Sequence, residues 1–81
     1  MLAIKFTKHA ENMLKERNFT KNDILSVIEN PDWKEEKEEK VWHAFKRSQN
    51  KVLRVVVKGK KEPYTVITMF YDKRLRSKKW G

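Results

Sequence analysis

From Val41 onward, the apolar residues of this 81-residue chain recur at every second position, whereas before Pro31 they recur every three or four. That switch of period constrains the fold more than any other feature, because a side-chain repeat of two fits a strand and one near 3.6 fits a helix. "VWHAFKR" places Val41, His43, Phe45 and Arg47 on one face and Trp42, Ala44 and Lys46 on the other. "VLRVVVK" separates Leu53, Val55 and Val57 from Arg54 and Lys58, and "YTVITMFY" is apolar on both faces, as in a central strand. "SQNK" and "GKKEP" read as turns.

The first third carries helix punctuation. Thr7 is a suitable N-cap for a helix from Lys8 to Arg17, with Asn18 as its stop. Thr20 caps a second helix. Asp23 stands three residues on, as in a capping box, and Phe19 and Ile24 have the spacing of a hydrophobic staple. Ile24, Leu25, Val27 and Ile28 form its buried stripe, and Pro31 ends it by disfavouring helical backbone at Asn30. "LAIKF" is a candidate short first strand. "KEEKEEK" has no apolar face and is expected as a solvated loop or strand edge. The pattern predicts one α+β domain: two N-terminal helices packed on one face of a three- to four-stranded antiparallel sheet, with the other face free to meet something large. Residues 72–81 form a basic tail whose order the sequence leaves open.

Charge is unevenly placed. Residues 1–45 carry 8 Lys/Arg against 9 Asp/Glu, a net of −1, whereas residues 46–81 carry 12 against 2, a net of +10. A half so basic suits a polyanionic partner, because each neutralised phosphate releases counterions. There is no cysteine, the apolar runs are too short to span a bilayer, and no signal-peptide pattern opens the chain, so a cytoplasmic protein without a membrane anchor is expected. Two histidines 34 residues apart make no metal motif, and two glycines allow no glycine-rich phosphate loop. No cofactor is expected.

Two residues of the first helix stand out. Ala10, Met13 and Leu14 form its apolar stripe; Arg17 projects into the middle of that stripe and His9 lies at its edge. Arg17, in the last turn, suits either the free carbonyls of the helix end or a phosphate, whose two oxygens match the guanidinium fork. His9, near a helix N-terminus, is either an ordinary solvated side chain or a proton carrier. His43, on the first clear strand, either packs beside Phe45 or takes part in proton transfer.

"FTKHAENMLKERNFTKNDILSVIENP" resembles the opening of a family of small domains of uncharacterised function: a strand, then T-x-H-A, an arginine eight residues after the histidine, a Thr-capped helix and a closing Asn-Pro. "LRVVVKG" and "YTVITMFY" are similar to that family's strand hairpin, so the likeness covers residues 4–71 and rests on His9, Ala10, Arg17, Thr20, Pro31, Val66, Ile67, Thr68 and Tyr71. The family is placed with the RelE-like toxins and their barnase and colicin relatives. The resemblance therefore implies a RelE-like fold, and less directly a metal-independent RNA-cleaving toxin held in check by a small acidic antitoxin.

Such cleavage needs a base for the ribose 2′-OH, an acid for the leaving 5′ oxygen and cations on the phosphate. His9, Arg17, His43 and Tyr71 are the candidate catalytic residues. Arg47, Arg54, Lys58, Arg74 and Arg76 are the candidate RNA contacts, with Arg54 expected on the open face of the sheet. Two further readings compete: a nucleic-acid-binding module without turnover, and a protein-interaction inhibitor or adaptor. The sequence leaves the oligomeric state open.

Overall fold

The computed structural model describes residues 3–48 and 51–72. Seven elements follow one another: β1 (Ile4–Phe6), α1 (Lys8–Arg17), α2 (Lys21–Glu29), β2 (Trp33–Glu38), β3 (Val41–Ser48), β4 (Lys51–Lys58) and β5 (Tyr64–Tyr71). The candidate contacts Arg74 and Arg76, and the tail beyond Asp72, lie outside the described residues.

Both helices start at the threonines that the sequence marks. The Thr7 hydroxyl accepts the Ala10 amide at 3.0 Å, and the Asp23 amide reaches the Thr20 hydroxyl at 3.1 Å while the Asp23 carboxylate accepts the Thr20 amide at 2.9 Å, a complete capping box. Asn18 ends α1 in the left-handed conformation, with φ 60°, and its amide returns to the Leu14 carbonyl. Ala10 and Leu14 of α1 and Ile24, Val27 and Ile28 of α2 then pack on Ala44, Leu53, Val55, Val57, Val66 and Met69, so both helices cover one face of the sheet. Burying a side chain such as Ile24, which is wholly enclosed, contributes about 2–3 kcal/mol.

The sheet has five strands in the order β1-β5-β4-β3-β2 and is mixed, which corrects the expectation of three or four antiparallel strands. β2 to β5 form an antiparallel meander, while β1 lies parallel to β5, with Ile4 opposite Tyr64 and Phe6 opposite Val66. The parallel pairing follows from chain order: β1 reaches the last strand only after both helices and three strands have intervened, so no hairpin dictates its direction. β2 contains most of the charged run. It needs no apolar face because it is an edge strand, whose exposed charges discourage pairing with other chains. One residue, Trp33, anchors it by stacking flat on Phe45, with ring centroids 4.7 Å apart. Among the described residues no helix is long and apolar enough to cross a membrane.

The sheet margin is pinned where β1 gives way to α1. β5 carries a bulge there: Val56 faces Thr68 but Val57 faces Val66, which leaves Ile67 unpaired in the ladder. Thr7 fills the gap. Its amide donates to the Val66 carbonyl at 3.1 Å and its hydroxyl donates to the Ile67 carbonyl at 3.0 Å. Replacing Thr7 by the isosteric valine removes the cap and this bond together and is expected to cost about 1–2 kcal/mol, read as a lower urea midpoint, whereas Thr7→Ser keeps most of the stability.

Candidate functional site

The sheet face away from the helices carries the candidate chemistry. Register sets Glu35 opposite His43, His43 opposite Val56 and Val56 opposite Thr68, so four side chains from β2 to β5 form one transverse row. At the usual interstrand spacing, the His43 and Thr68 backbones are roughly 10 Å apart. His9 completes the row from the sheet margin, where its Nε2 is hydrogen-bonded to the Thr68 hydroxyl oxygen at 3.1 Å. The helix start and the strand register thus bring both histidines of the chain to one line, with Val56 as a half-buried floor between them.

The adjoining row is closed rather than open. Trp33, Phe45, Arg54 and Phe70 succeed one another across β2 to β5. Phe45 is wholly buried, with the Arg54 guanidinium 4.7 Å above its ring and 5.9 Å from that of Phe70. Arg54 also pairs with Asp72, nitrogen to oxygen 2.8 Å, and the two side chains are only 14% and 4% exposed. This corrects the expectation of an exposed Arg54 on a free face: the arginine is largely buried because a carboxylate neutralises it and two aromatic rings receive its cation. Arg47 stays exposed beyond this row, and its amide donates to the Asp32 carboxylate at 2.7 Å. Lys58 is exposed at the end of β4.

His43 is held in its neutral form. Burial is the main cause of a pKa below the ordinary histidine value, and the positive charges of Arg54 and Lys37 add to it; Glu35 opposes the shift. Its Nδ1 is enclosed without a hydrogen-bond partner, so no acceptor on that side of the ring offsets the cost of burying a charged imidazole. Glu35 itself is drawn below the usual carboxylate range, chiefly by its hydrogen bond from Lys37, whose Nζ is 2.7 Å away. Neutral imidazole is the form that can accept a proton.

Arg17 and Tyr71 are placed elsewhere. Arg17 does not insert into the apolar stripe; it is exposed at the end of α1, where it lines a cleft with Asn18, the left-handed residue that stops the helix. The cleft, of about 390 Å³, lies on the helix side of the sheet and also contains Phe19, Lys46 and Tyr71. His9 and Arg17 are eight residues apart on one helix, a rise of about 12 Å. The structure therefore joins His9 to His43 across the sheet and Arg17 to Tyr71 at its end. The four candidate catalytic residues named from the sequence thus fall into two groups.

Sequence reasoning missed Thr68 as the partner of His9, Asp72 as the neutraliser of Arg54 and Lys46 as the companion of Arg17. Strand register and the β5 bulge decide the first, and no local spacing signals either. Asp72 left a trace, as the one acid among the cations that follow Tyr71. Among the described residues no three His, Asp or Glu side chains are grouped as a metal site requires.

Because the pKa of His43 is depressed by folding, the unfolded chain takes up a proton at higher pH than the native one. The associated stability is complete above the unfolded value near 6.5 and is lost as pH falls through the native value. Urea unfolding at a series of pH values is expected to show a steeper acid loss for the wild type than for His43→Gln; equal slopes would remove the case for a neutral, enclosed His43.

Two comparisons find no match: no curated protein and no solved structure is detectably similar to this chain. The family comparison does find one. The matching region, residues 6–71, runs from the strand before Thr7 to the last residue of β5 and so includes both histidines, Arg17 and Tyr71, and its description is a domain of unknown function, DUF4258. With most of its length matched, the chain belongs to the DUF4258 family.

Proposed function

We propose that the protein is a metal-independent endoribonuclease of the RelE-like toxin type, acting on cytoplasmic RNA and restrained by a small acidic antitoxin. The observation that carries this reading is the row His43–Val56–Thr68–His9, which sets two imidazoles on one line across a sheet in a chain of net charge +9. In this reading the RNA lies over Val56. His43, neutral, takes the proton of the ribose 2′-OH, whose oxygen attacks the adjacent phosphorus. The bond to the 5′ oxygen breaks, that oxygen leaves with a proton delivered from His9, and a 2′,3′-cyclic phosphate remains. Thr68 fixes the ring of His9 during the transfer. The resemblance of the T-x-H-A opening and the strand hairpin to RelE-like toxins supports the same class.

One observation favours the second reading, a nucleic-acid-binding module without turnover. Asp72 neutralises Arg54, the guanidinium nearest the row, and Glu35 holds Lys37 at 2.7 Å, so both cations that act on His43 are already paired.

The two readings separate in one assay. Single-stranded RNA is incubated with the protein in excess chelator and the products are resolved by length and end group. The ribonuclease reading predicts fragments with cyclic phosphate ends, and a loss of about a hundredfold or more in rate for His43→Ala and for His9→Ala with the fold intact. Intact RNA recovered from a salt-sensitive complex selects the binding module.

A further inference from the structure

The cleft between the end of α1 and the end of the sheet lies apart from the histidine row, and its chemistry is distinct. One wall is aromatic: Phe19 and Tyr71 meet at a tilt, with centroids 5.5 Å apart, over Leu53. Its cations differ in how they are engaged. Lys46 reaches the Asn30 carbonyl at 3.2 Å and Asp32 at 3.6 Å. The Arg17 guanidinium, exposed at the rim, makes no hydrogen bond or ion pair among the described residues. The carboxylate in the lining, Asp23, is committed to the Thr20 amide through the capping box and does not neutralise Arg17. A concavity of about 390 Å³ is of the size that holds a small organic ligand. An aromatic wall beside an exposed guanidinium matches a base and its phosphate, since bases stack on aromatic rings and the planar fork receives two phosphate oxygens.

We infer that this cleft is a nucleotide-anchoring subsite, in which Arg17 takes a phosphate of a single-stranded RNA and the Phe19–Tyr71 wall packs its base. It rests on the reading that RNA is the ligand, and it moves Arg17 and Tyr71 from cleavage to binding. The strand reaches the subsite around the margin of β5, the edge that α1 follows from His9 to Arg17. An anchor of this kind governs affinity and not the chemical step.

The test uses a 2′-O-methyl oligonucleotide of about ten residues, which lacks the attacking hydroxyl and so reports binding alone. Fluorescence anisotropy is measured over a range of salt for the wild type, Arg17→Ala, Arg17→Lys and Tyr71→Leu. Arg17→Ala is expected to weaken binding about ten- to hundredfold and to lower the salt slope by about one, with partial recovery in Arg17→Lys. Tyr71→Leu is expected to weaken it with the slope unchanged. Cleavage of unmodified RNA is followed in parallel. Binding that ignores Arg17→Ala overturns the anchor while leaving a ribonuclease standing. Arg17-dependent binding without cleavage retains the anchor and rejects the ribonuclease. An oligonucleotide that fails to bind at low salt overturns the inference outright.

Discussion

The arrangement of the candidate site depends on one hydroxyl group. Thr7 Oγ1 accepts the Ala10 amide and donates to the Ile67 carbonyl, so a single atom both starts α1 and locks it to the β5 bulge. The helix start has donors that its own turn leaves unsatisfied, and the bulge has a carbonyl outside the ladder; each supplies what the other lacks. His9 follows two residues later. Its reach to Thr68 is therefore set by the helix origin and not by the flexibility of its own side chain. Without this joint, β1 would still flank β5, but nothing would fix where the imidazole stands against the sheet.

A second constraint is the enclosed pair Arg54–Asp72. Such a pair contributes little net stability in itself, because desolvating both charges offsets most of their attraction, yet losing either partner leaves the other stranded. Here the cation is also held over Phe45 and near Phe70, and Trp33 closes the far side of Phe45. The consequence for function is twofold. The face away from the helices is firm beneath the histidine row, and its nearest guanidinium still acts on His43 by repelling its proton. A residue suited by type to hold phosphate thus helps keep an imidazole neutral.

Local rules were enough for the helices, the two hairpin strands and the central strand, because Thr7, Thr20, Asn18 and Pro31 act within a few residues of themselves. The β-period from Val41 also separated Ala44 from Phe45, and Leu53, Val55 and Val57 from Arg54, but which face of β3 meets the helices follows from its pairing with β4. β2 was only partly legible: a run such as KEEKEEK carries no burial signal, and its pairing depends on Trp33 finding Phe45 twelve residues later. The parallel partner of β1 lies some sixty residues away and leaves no trace in either segment. Site residues divide along the same boundary. Residue type nominated His9, His43, Arg17 and Tyr71, but which of them face one another depends on register, and a one-residue bulge in β5 decides where Thr68 stands.

The central claim is that both imidazoles address one phosphate position. A uridine–vanadate complex mimics the crowded phosphorus of the cleavage step, and NMR of the two imidazole side chains reports on it directly. Titration is predicted to shift His9 and His43 together, along one isotherm with a common midpoint. A shift confined to one histidine, or two shifts with separate midpoints, would contradict a shared site.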